Sequence, residues 1–199
     1  MCLCVGCDTV KHAVSLCSYV SELRRYIDVD VYGRCGRLDC PIRAEELCLD
    51  VLERRYFFYL AFENSLCVDY VTEKYWRTLH RDVVAVVLGA ANYSQFVPPG
   101  VHLDVRDFRS PRLLADRLQA LMTRDVDTYA EMLRKKRRLR CSLDNDEEQA
   151  VLFQSRLCLY LDSKEGKTQM TDLEVSWNAR IMCRTPRTFY SGIADMIAY

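Results

Sequence analysis

Apolar residues follow two different spacings along this chain of 199 residues. Amphipathic stripes at helical spacing predict helices over residues 8–27, 43–54 and 72–82. Two continuous apolar runs, at residues 56–62 and 83–88, have the length of buried strands. Because both runs are apolar on each face, they predict strands that helices cover on both sides of a sheet.

Shorter signals continue the alternation of strand and helix. Residues 28–32 alternate in polarity and predict a strand, and residues 101–105 predict another after a Pro-Pro-Gly turn. Ser110 followed by Pro111 predicts the start of a helix, since a polar cap precedes proline at the first helical position. A further helix is expected to end near residue 140. This alternation predicts an α/β domain with a mostly parallel sheet and helices on both faces.

Charge and composition exclude several classes of protein. The chain has 28 basic and 28 acidic residues, so it lacks the basic excess of a dedicated nucleic-acid or membrane-surface binder. An apolar fraction of 50% argues against wholesale disorder. No apolar window approaches the length that spans a bilayer, and the first residues lack the apolar core of a secretory signal. We therefore expect this chain to carry no signal or anchor of its own.

Eleven cysteines are many for a cytosolic domain of this size. A structural zinc site would need two Cys-x-x-Cys pairs or nearby histidines, and only Cys4 and Cys7 have that spacing. The cysteines therefore favour disulfides formed in a lumenal compartment, with their connectivity open.

Residues 62–74 contain the densest group of side chains able to do chemistry. A buried strand ends there in a polar loop, and a helix begins near Thr72, which is a plausible cap. Ligands of open α/β sheets lie outside the carboxyl ends of strands, and Lys74 would suit a pyrophosphate leaving group. Side chains that could bond sugar hydroxyls are Glu63, Asn64, Asp69, Tyr70 and Glu73. The alternative is a capped surface helix whose charges are solvated.

The segment FYLAFENSLCVDYVTEKYW, followed by VVAVVLGAANYSQFVPPGVHLDVRDFRSPRLLADRL, closely resembles the donor-binding segment of the α1,3-fucosyltransferases. With the upstream VDVYGRCGRLDC, the chain looks most like invertebrate members over about residues 19–133. The resemblance implies a GT-B glycosyltransferase whose carboxy-terminal Rossmann-like domain holds GDP-fucose. It implies that residues 1–140 are this domain, that residues 141–199 are a divergent cysteine-containing tail packed on it, and that the amino-terminal acceptor domain is absent.

The resemblance also implies which residues bind the donor. Asn64, Tyr70, Glu73 and Lys74 fall on donor-contacting positions, and in the family the lysine meets the diphosphate. The implied reaction is inverting transfer of L-fucose from GDP-fucose to N-acetylglucosamine of a glycoprotein glycan, with no cofactor and no metal. The family places the general base in the amino-terminal domain, so no catalytic residue is assigned here and this truncated form alone is expected not to transfer fucose.

The chain departs from the family at one phosphate contact. The position of a family arginine that also reaches the diphosphate is Leu16 here, and Lys11 or Arg24 might replace it. A catalytically inactive fucosyltransferase remnant is therefore an alternative. The family implies the Golgi lumen, with membrane attachment through the absent amino-terminal anchor. Within the resembling stretch, Cys35, Cys40, Cys48 and Cys67 are expected to be mostly paired.

Three weaker motifs have ordinary explanations beside functional ones. Asp28-Val-Asp30 matches a metal-binding D-x-D motif but lies on a predicted strand, which disfavours a metal. The basic residues 134–140 could form a nucleic-acid-binding module, although a solvated helix end is favoured at zero net charge. Asn92-Tyr93-Ser94 is an N-glycosylation sequon in the loop where the family binds the donor, which makes Asn92 a possible glycosylation site.

Overall fold

The computed structural model describes residues 2–5, 13–32, 36, 38, 50, 53–139 and 183–184. Its named helices are α1 (Ala13–Leu23), α2 (Glu73–Leu79), α3 (Pro111–Thr123) and α4 (Val126–Arg137), and residues 53–55 are also helical. Its strands are β1 (Cys2–Val5), β2 (Val29–Tyr32), β3 (Phe58–Phe62), β4 (Leu66–Cys67), β5 (Val84–Leu88), β6 (His102–Asp104) and β7 (Cys183–Arg184).

The main sheet has five strands in the order β2-β1-β3-β5-β6, and every pairing within it is parallel. The chain runs outward in one direction from β1 to β2 and in the other from β3 through β5 to β6. The strand order therefore reverses between β1 and β3, which is where sheets of this type open a crevice for a ligand. A separate antiparallel ladder joins β4 to β7, with Cys67 opposite Cys183 in the register.

The side chains of β3 and β5 alternate between two hydrophobic clusters, one on each face of the sheet. Every residue of both strands is buried. On one face Phe58 and Leu60 pack with side chains of α1 and α3, and on the other Tyr59 and Ala61 pack with Tyr75 of α2. The predicted mostly parallel sheet with helices on both faces is confirmed.

The helix start predicted at Ser110 is confirmed in its details. The Ser110 hydroxyl oxygen accepts a hydrogen bond from the Leu113 N–H at 3.2 Å, and Pro111 occupies the first turn. The cap satisfies an N–H that has no partner inside the helix, and proline needs none. Both features are local, so the sequence predicts them without knowledge of the fold.

Some sequence predictions differ from the structure or lie outside it. The central strand β1 is not predicted, because a run of only four residues carries little periodic signal. The helix predicted over residues 8–27 spans Ala13–Leu23, and residues 8–12 lie outside the described residues. The predicted helix at 43–54 also lies outside them except at residues 50, 53 and 54, as does the predicted tail 141–199 except at 183–184.

The basic run at the end of α4 is not simply a solvated helix end, as predicted. Lys136 is 2% exposed, and its ammonium group donates hydrogen bonds to the backbone carbonyls of Arg81, at 2.8 Å, and Val83. Arg137 is paired with Asp82 at 2.6 Å. These contacts fasten α4 to the residues that precede β5, so two of the basic residues serve the packing of the domain.

Candidate functional site

The loop at residues 63–72 connects β3 to α2 at the carboxyl edge of the sheet, next to the reversal of strand order. The N–H of Glu63 bonds the carbonyl of Leu88 at 2.9 Å, which extends the pairing of β3 and β5 by one residue. Asp69 has φ of 57°, a left-handed conformation that aspartate adopts more readily than most residues. The loop thus leaves the sheet, turns back on itself and enters α2 at the ligand-binding edge.

Asn64 and Lys74 are brought into direct contact across this loop. The ammonium nitrogen of Lys74 lies 3.0 Å from the amide oxygen of Asn64, and both side chains are half-buried. The loop therefore presents a cation whose position is fixed by an amide rather than by a carboxylate. An amide oxygen leaves the positive charge of lysine uncompensated and able to attract an anion.

Tyr70 and Glu73 lie in the same segment and are both exposed. The Tyr70 side chain is 38% exposed, and partial burial together with the charges of Glu63 and Glu73 raises its pKa. Glu73 stands in the first turn of α2. All four sequence-predicted residues therefore share one loop–helix segment, with Asn64 and Lys74 in contact and Tyr70 and Glu73 reaching solvent beside them.

Glu63 does not have the role that its sequence position suggested. It is 0% exposed, and its two carboxylate oxygens accept hydrogen bonds from the N–H of Thr72, at 2.8 Å, and from the Thr72 hydroxyl, at 2.7 Å. Burial is the largest influence on its pKa and raises it, and the bonds from Thr72 oppose that shift. With both oxygens occupied, Glu63 is not placed to bond a sugar hydroxyl.

The same contact corrects the role predicted for Thr72. Thr72 does stand at the cap position of α2, but among the described residues its side chain makes no capping bond to the helix backbone. Its hydroxyl donates to Glu63 instead. Sequence reasoning missed this pair because the partners are nine residues apart and neither has a local signature.

Behind Glu63, Gly89 and Tyr93 close the interior of the site. A Cβ atom at Gly89 would lie 2.6 Å from the Tyr93 hydroxyl oxygen and 3.2 Å from Cγ of Glu63. The Tyr93 hydroxyl is buried and has no hydrogen-bond partner among the described residues, and burial raises its pKa. The guanidinium of Arg106 lies 6.0 Å from the centre of the Tyr93 ring and is paired with Asp104.

Arg24 cannot replace the family arginine. It follows α1 and precedes β2, which begins at Val29, so it lies at the amino edge of the parallel sheet. Lys74 lies at the carboxyl edge, on the other side of the strands. The other expected substitute, Lys11, lies outside the described residues. The expectation for Arg24 is therefore wrong, because the sequence did not show at which edge that residue falls.

The two aspartates of the D-x-D motif do not converge on one point. Asp30 accepts a hydrogen bond at 2.7 Å from the Tyr56 hydroxyl, whereas Asp28 is exposed at the start of β2. No group of three or more histidine, cysteine, aspartate or glutamate side chains that could hold a metal ion occurs in the part of the chain that the structure describes.

Cys67 is disulfide-bonded, as expected for that residue. The other three cysteines expected to pair, Cys35, Cys40 and Cys48, lie outside the described residues. Within the described ranges, no helix is both long and apolar enough to cross a bilayer.

Comparisons with known proteins agree with the resemblance in sequence. The family profile "Glycosyltransferase family 10 (fucosyltransferase) C-term" matches residues 3–177. Alpha-(1,3)-fucosyltransferase C of Drosophila melanogaster is 43% identical over 123 residues, covering 62% of this chain and 28% of that protein. Glycoprotein 3-alpha-L-fucosyltransferase A of the same organism is 34% identical over 173 residues, covering 84% of this chain and 33% of that protein. The chain thus spans about a third of the length of these relatives or less.

Among solved structures, an alpha1,3-fucosyltransferase crystallised with GDP-fucose superposes with a TM-score of 0.59 at 19% identity. The superposition covers 82% of this chain and 48% of that one. At this identity the likeness concerns the fold alone. It confirms the predicted Rossmann-like domain of a GT-B glycosyltransferase.

Proposed function

The chain belongs to the glycosyltransferase family 10 fucosyltransferases, matching their carboxy-terminal domain, and from this membership we propose that residues 63–74 bind the GDP-fucose donor of a fucosyl transfer. The observation that carries the proposal is the contact between Lys74 and Asn64 at the carboxyl edge of β3. Structures of an alpha1,3-fucosyltransferase with GDP-fucose and with GDP have the same fold, which supports a nucleotide-sugar site here.

Lys74 is proposed to neutralise the diphosphate. As the bond between fucose and phosphate breaks, negative charge grows on the departing GDP, and a fixed ammonium group stabilises that charge more than it stabilises the ground state. Asn64 orients the lysine in the absence of donor. Tyr70 and Glu73, which reach solvent beside it, are proposed to contact the nucleotide sugar.

The proposed reaction is an inverting single displacement in which an N-acetylglucosamine hydroxyl of a glycoprotein glycan attacks the anomeric carbon of fucose. The attacking hydroxyl loses its proton to a general base, and GDP leaves with the bonding electrons. Glu63 is a poor candidate for that base because Thr72 occupies both of its oxygens. The charge on the leaving group is balanced by lysine, so we propose that transfer needs neither a metal ion nor another cofactor.

Calorimetric titration with GDP tests the proposed donor site. We expect the wild type to bind GDP and Lys74→Ala to bind at least tenfold more weakly, since a lost charge-assisted contact to phosphate is worth about 1.5–3 kcal/mol. Lys135→Ala is the matched control, because Lys135 is exposed beside Gly100 at the opposite edge of the sheet. Equal GDP affinity in Lys74→Ala and wild type would refute the role given to Lys74.

We further propose that the protein works in the lumen of the Golgi apparatus, attached to its cisternal membrane. The disulfide at Cys67 supports an oxidising compartment. Immunofluorescence of the tagged full-length protein in animal cells, with a Golgi marker, tests this location. A diffuse cytosolic signal would contradict it.

The structure offers little support for nucleic-acid binding through residues 134–140. Lys136 is buried, Arg137 is paired with Asp82, and Arg134 is paired with Glu131. Nucleic-acid affinity depends on basic groups that are available to phosphates. These contacts engage three basic residues of the run within the domain, so nucleic-acid binding is not put forward as a second function.

A further inference from the structure

We propose that Glu63 is a positioning residue which, through Thr72, holds the loop at residues 63–72 closed and so sets where Lys74 stands relative to a bound diphosphate. The inference rests on the proposed donor site and deepens it, because it assigns a role to a residue that does not itself contact the donor.

The first argument is the geometry of the contact. One carboxylate oxygen of Glu63 accepts from the Thr72 N–H at 2.8 Å and the other from the Thr72 hydroxyl at 2.7 Å. The pair joins the first residue of the loop to the last, immediately before α2 begins at Glu73. A bidentate, charge-assisted contact fixes both the distance and the orientation of the two residues. The entry of the chain into α2 is therefore set by Glu63.

The second argument is the burial of Glu63. The residue is 0% exposed, and its Cγ faces Gly89, where even a Cβ would approach to 3.2 Å. The charged and titratable groups around its carboxylate are Lys74, Glu73, Tyr70 and Tyr93. A buried carboxylate is costly unless it is bonded, and Thr72 supplies both bonds. Glu63 is thus held in place and cannot turn toward a ligand without losing them.

The third argument is the relation between the two contacts that span the loop. Asn64 and Lys74 form an outer contact, between half-buried side chains, that an arriving phosphate can displace. Glu63 and Thr72 form an inner contact that stays intact when Lys74 turns to the ligand. The inner contact therefore preserves the position of the Lys74 backbone while its side chain changes partner. Pre-organisation of this kind improves affinity by reducing the ordering that binding requires.

Substitutions at Thr72 test the inference with little risk to folding, since Thr72 is only half-buried. Thr72→Val keeps the side-chain shape and removes the hydroxyl, and Thr72→Ser restores it. Thr78→Val is the matched control in α2, because the Thr78 hydroxyl donates to the Tyr75 carbonyl within the helix, at 2.7 Å. Glu63→Gln is a second variant, which keeps an acceptor for the Thr72 N–H but replaces the other oxygen with an amide nitrogen.

Two readouts are measured for each variant, hydrogen exchange of peptides covering residues 64–74 and the dissociation constant for GDP. We expect Thr72→Val to accelerate exchange in these peptides and to weaken GDP binding about tenfold, which corresponds to one charge-assisted hydrogen bond. Thr72→Ser should restore both values, and Glu63→Gln should give a smaller loss. Thr78→Val should lower Tm without changing either readout.

The two proposals fail in different ways. Unchanged exchange in Thr72→Val, or faster exchange with unchanged GDP affinity, would overturn the role of Glu63 and leave the donor site standing. A wild type that binds no GDP would reject the donor site, and loop exchange would still show whether Glu63 and Thr72 hold the loop closed.

Discussion

The hydroxyl of Tyr93 occupies the space into which a side chain at Gly89 would project, 2.6 Å from the position of a Cβ there. Gly89 is the first residue after β5, and the contact brings the following 3₁₀ turn (Tyr93–Gln95) over the carboxyl end of that strand. The glycine is therefore required by close approach, and its lack of a side chain lets the loop pack against Glu63.

Gly89→Ala is expected to destabilise the protein by about 1–3 kcal/mol, the usual effect of overpacking a dense interior. Tyr93→Phe should be neutral or stabilising, because the hydroxyl it removes is buried without a partner among the described residues. In the double variant, the nearest ring atom would lie 3.6 Å from the new Cβ, so much of the loss should be recovered. Denaturant unfolding of the four proteins measures the coupling, and simple additivity would contradict this contact.

The left-handed backbone of Asp69 gives a second prediction. Asp69→Val should cost about 1–3 kcal/mol, since a β-branched residue is strained at positive φ. Asp69→Asn is the matched control, because asparagine accepts this conformation and differs from aspartate in charge alone. Thermal unfolding and loop exchange should separate the two variants, and equal behaviour would mean that the loop relaxes to another conformation.

Lys136 predicts a pH dependence of stability. Burial lowers its pKa to about 8, against 10.5 for a free lysine. The unfolded chain therefore binds more protons than the folded chain between pH 8 and 10.5, and the contribution of Lys136 to the free energy of unfolding should rise with pH across this window.

Lys136→Met removes the titrating group while keeping a long unbranched side chain. The difference in the free energy of unfolding between wild type and variant, measured by urea denaturation from pH 7 to 10.5, should shift in favour of the wild type as pH rises. A difference that stays constant with pH would show that Lys136 keeps an ordinary pKa in the folded protein.

The disulfide at Cys67 predicts the thiol content of variants. Cys67→Ser should release its partner, so protein from an oxidising compartment should gain one alkylatable thiol relative to wild type. Removing the crosslink should also lower stability by about 2–4 kcal/mol, according to the chain-entropy estimate. Mass mapping of alkylated peptides identifies the partner and tests whether Cys35, Cys40 and Cys48 are paired too. No gain of thiol would contradict the disulfide.

Asn92 is expected to be accessible to glycosylation in secreted material. It is exposed, and its amide oxygen caps the 3₁₀ turn by accepting from the Ser94 hydroxyl at 2.6 Å, which leaves the glycan-bearing nitrogen out of the cap. A mobility shift on deglycosylation that disappears in Asn92→Gln would support occupancy. Absence of the shift in wild type would show that the sequon is not used.

The sequence by itself determined the features that depend on neighbouring residues. The apolar runs of β3 and β5 predict buried strands because each residue repeats the same local signal on both faces. Ser110 predicts the start of α3 because a cap needs only a partner three residues away. The motif around Asn64 and Lys74 likewise predicts the candidate site from a single continuous segment.

Only the tertiary structure decided which distant groups meet. It placed β1 at the centre of the sheet, Arg24 at the edge away from Lys74, and the ammonium group of Lys136 beside the carbonyl of Val83. It also gave Glu63 a partner in Thr72 instead of a sugar. Burial and pairing of this kind depend on how the chain crosses between strands, and one sequence carries no periodic signal for contacts between residues that are far apart in it.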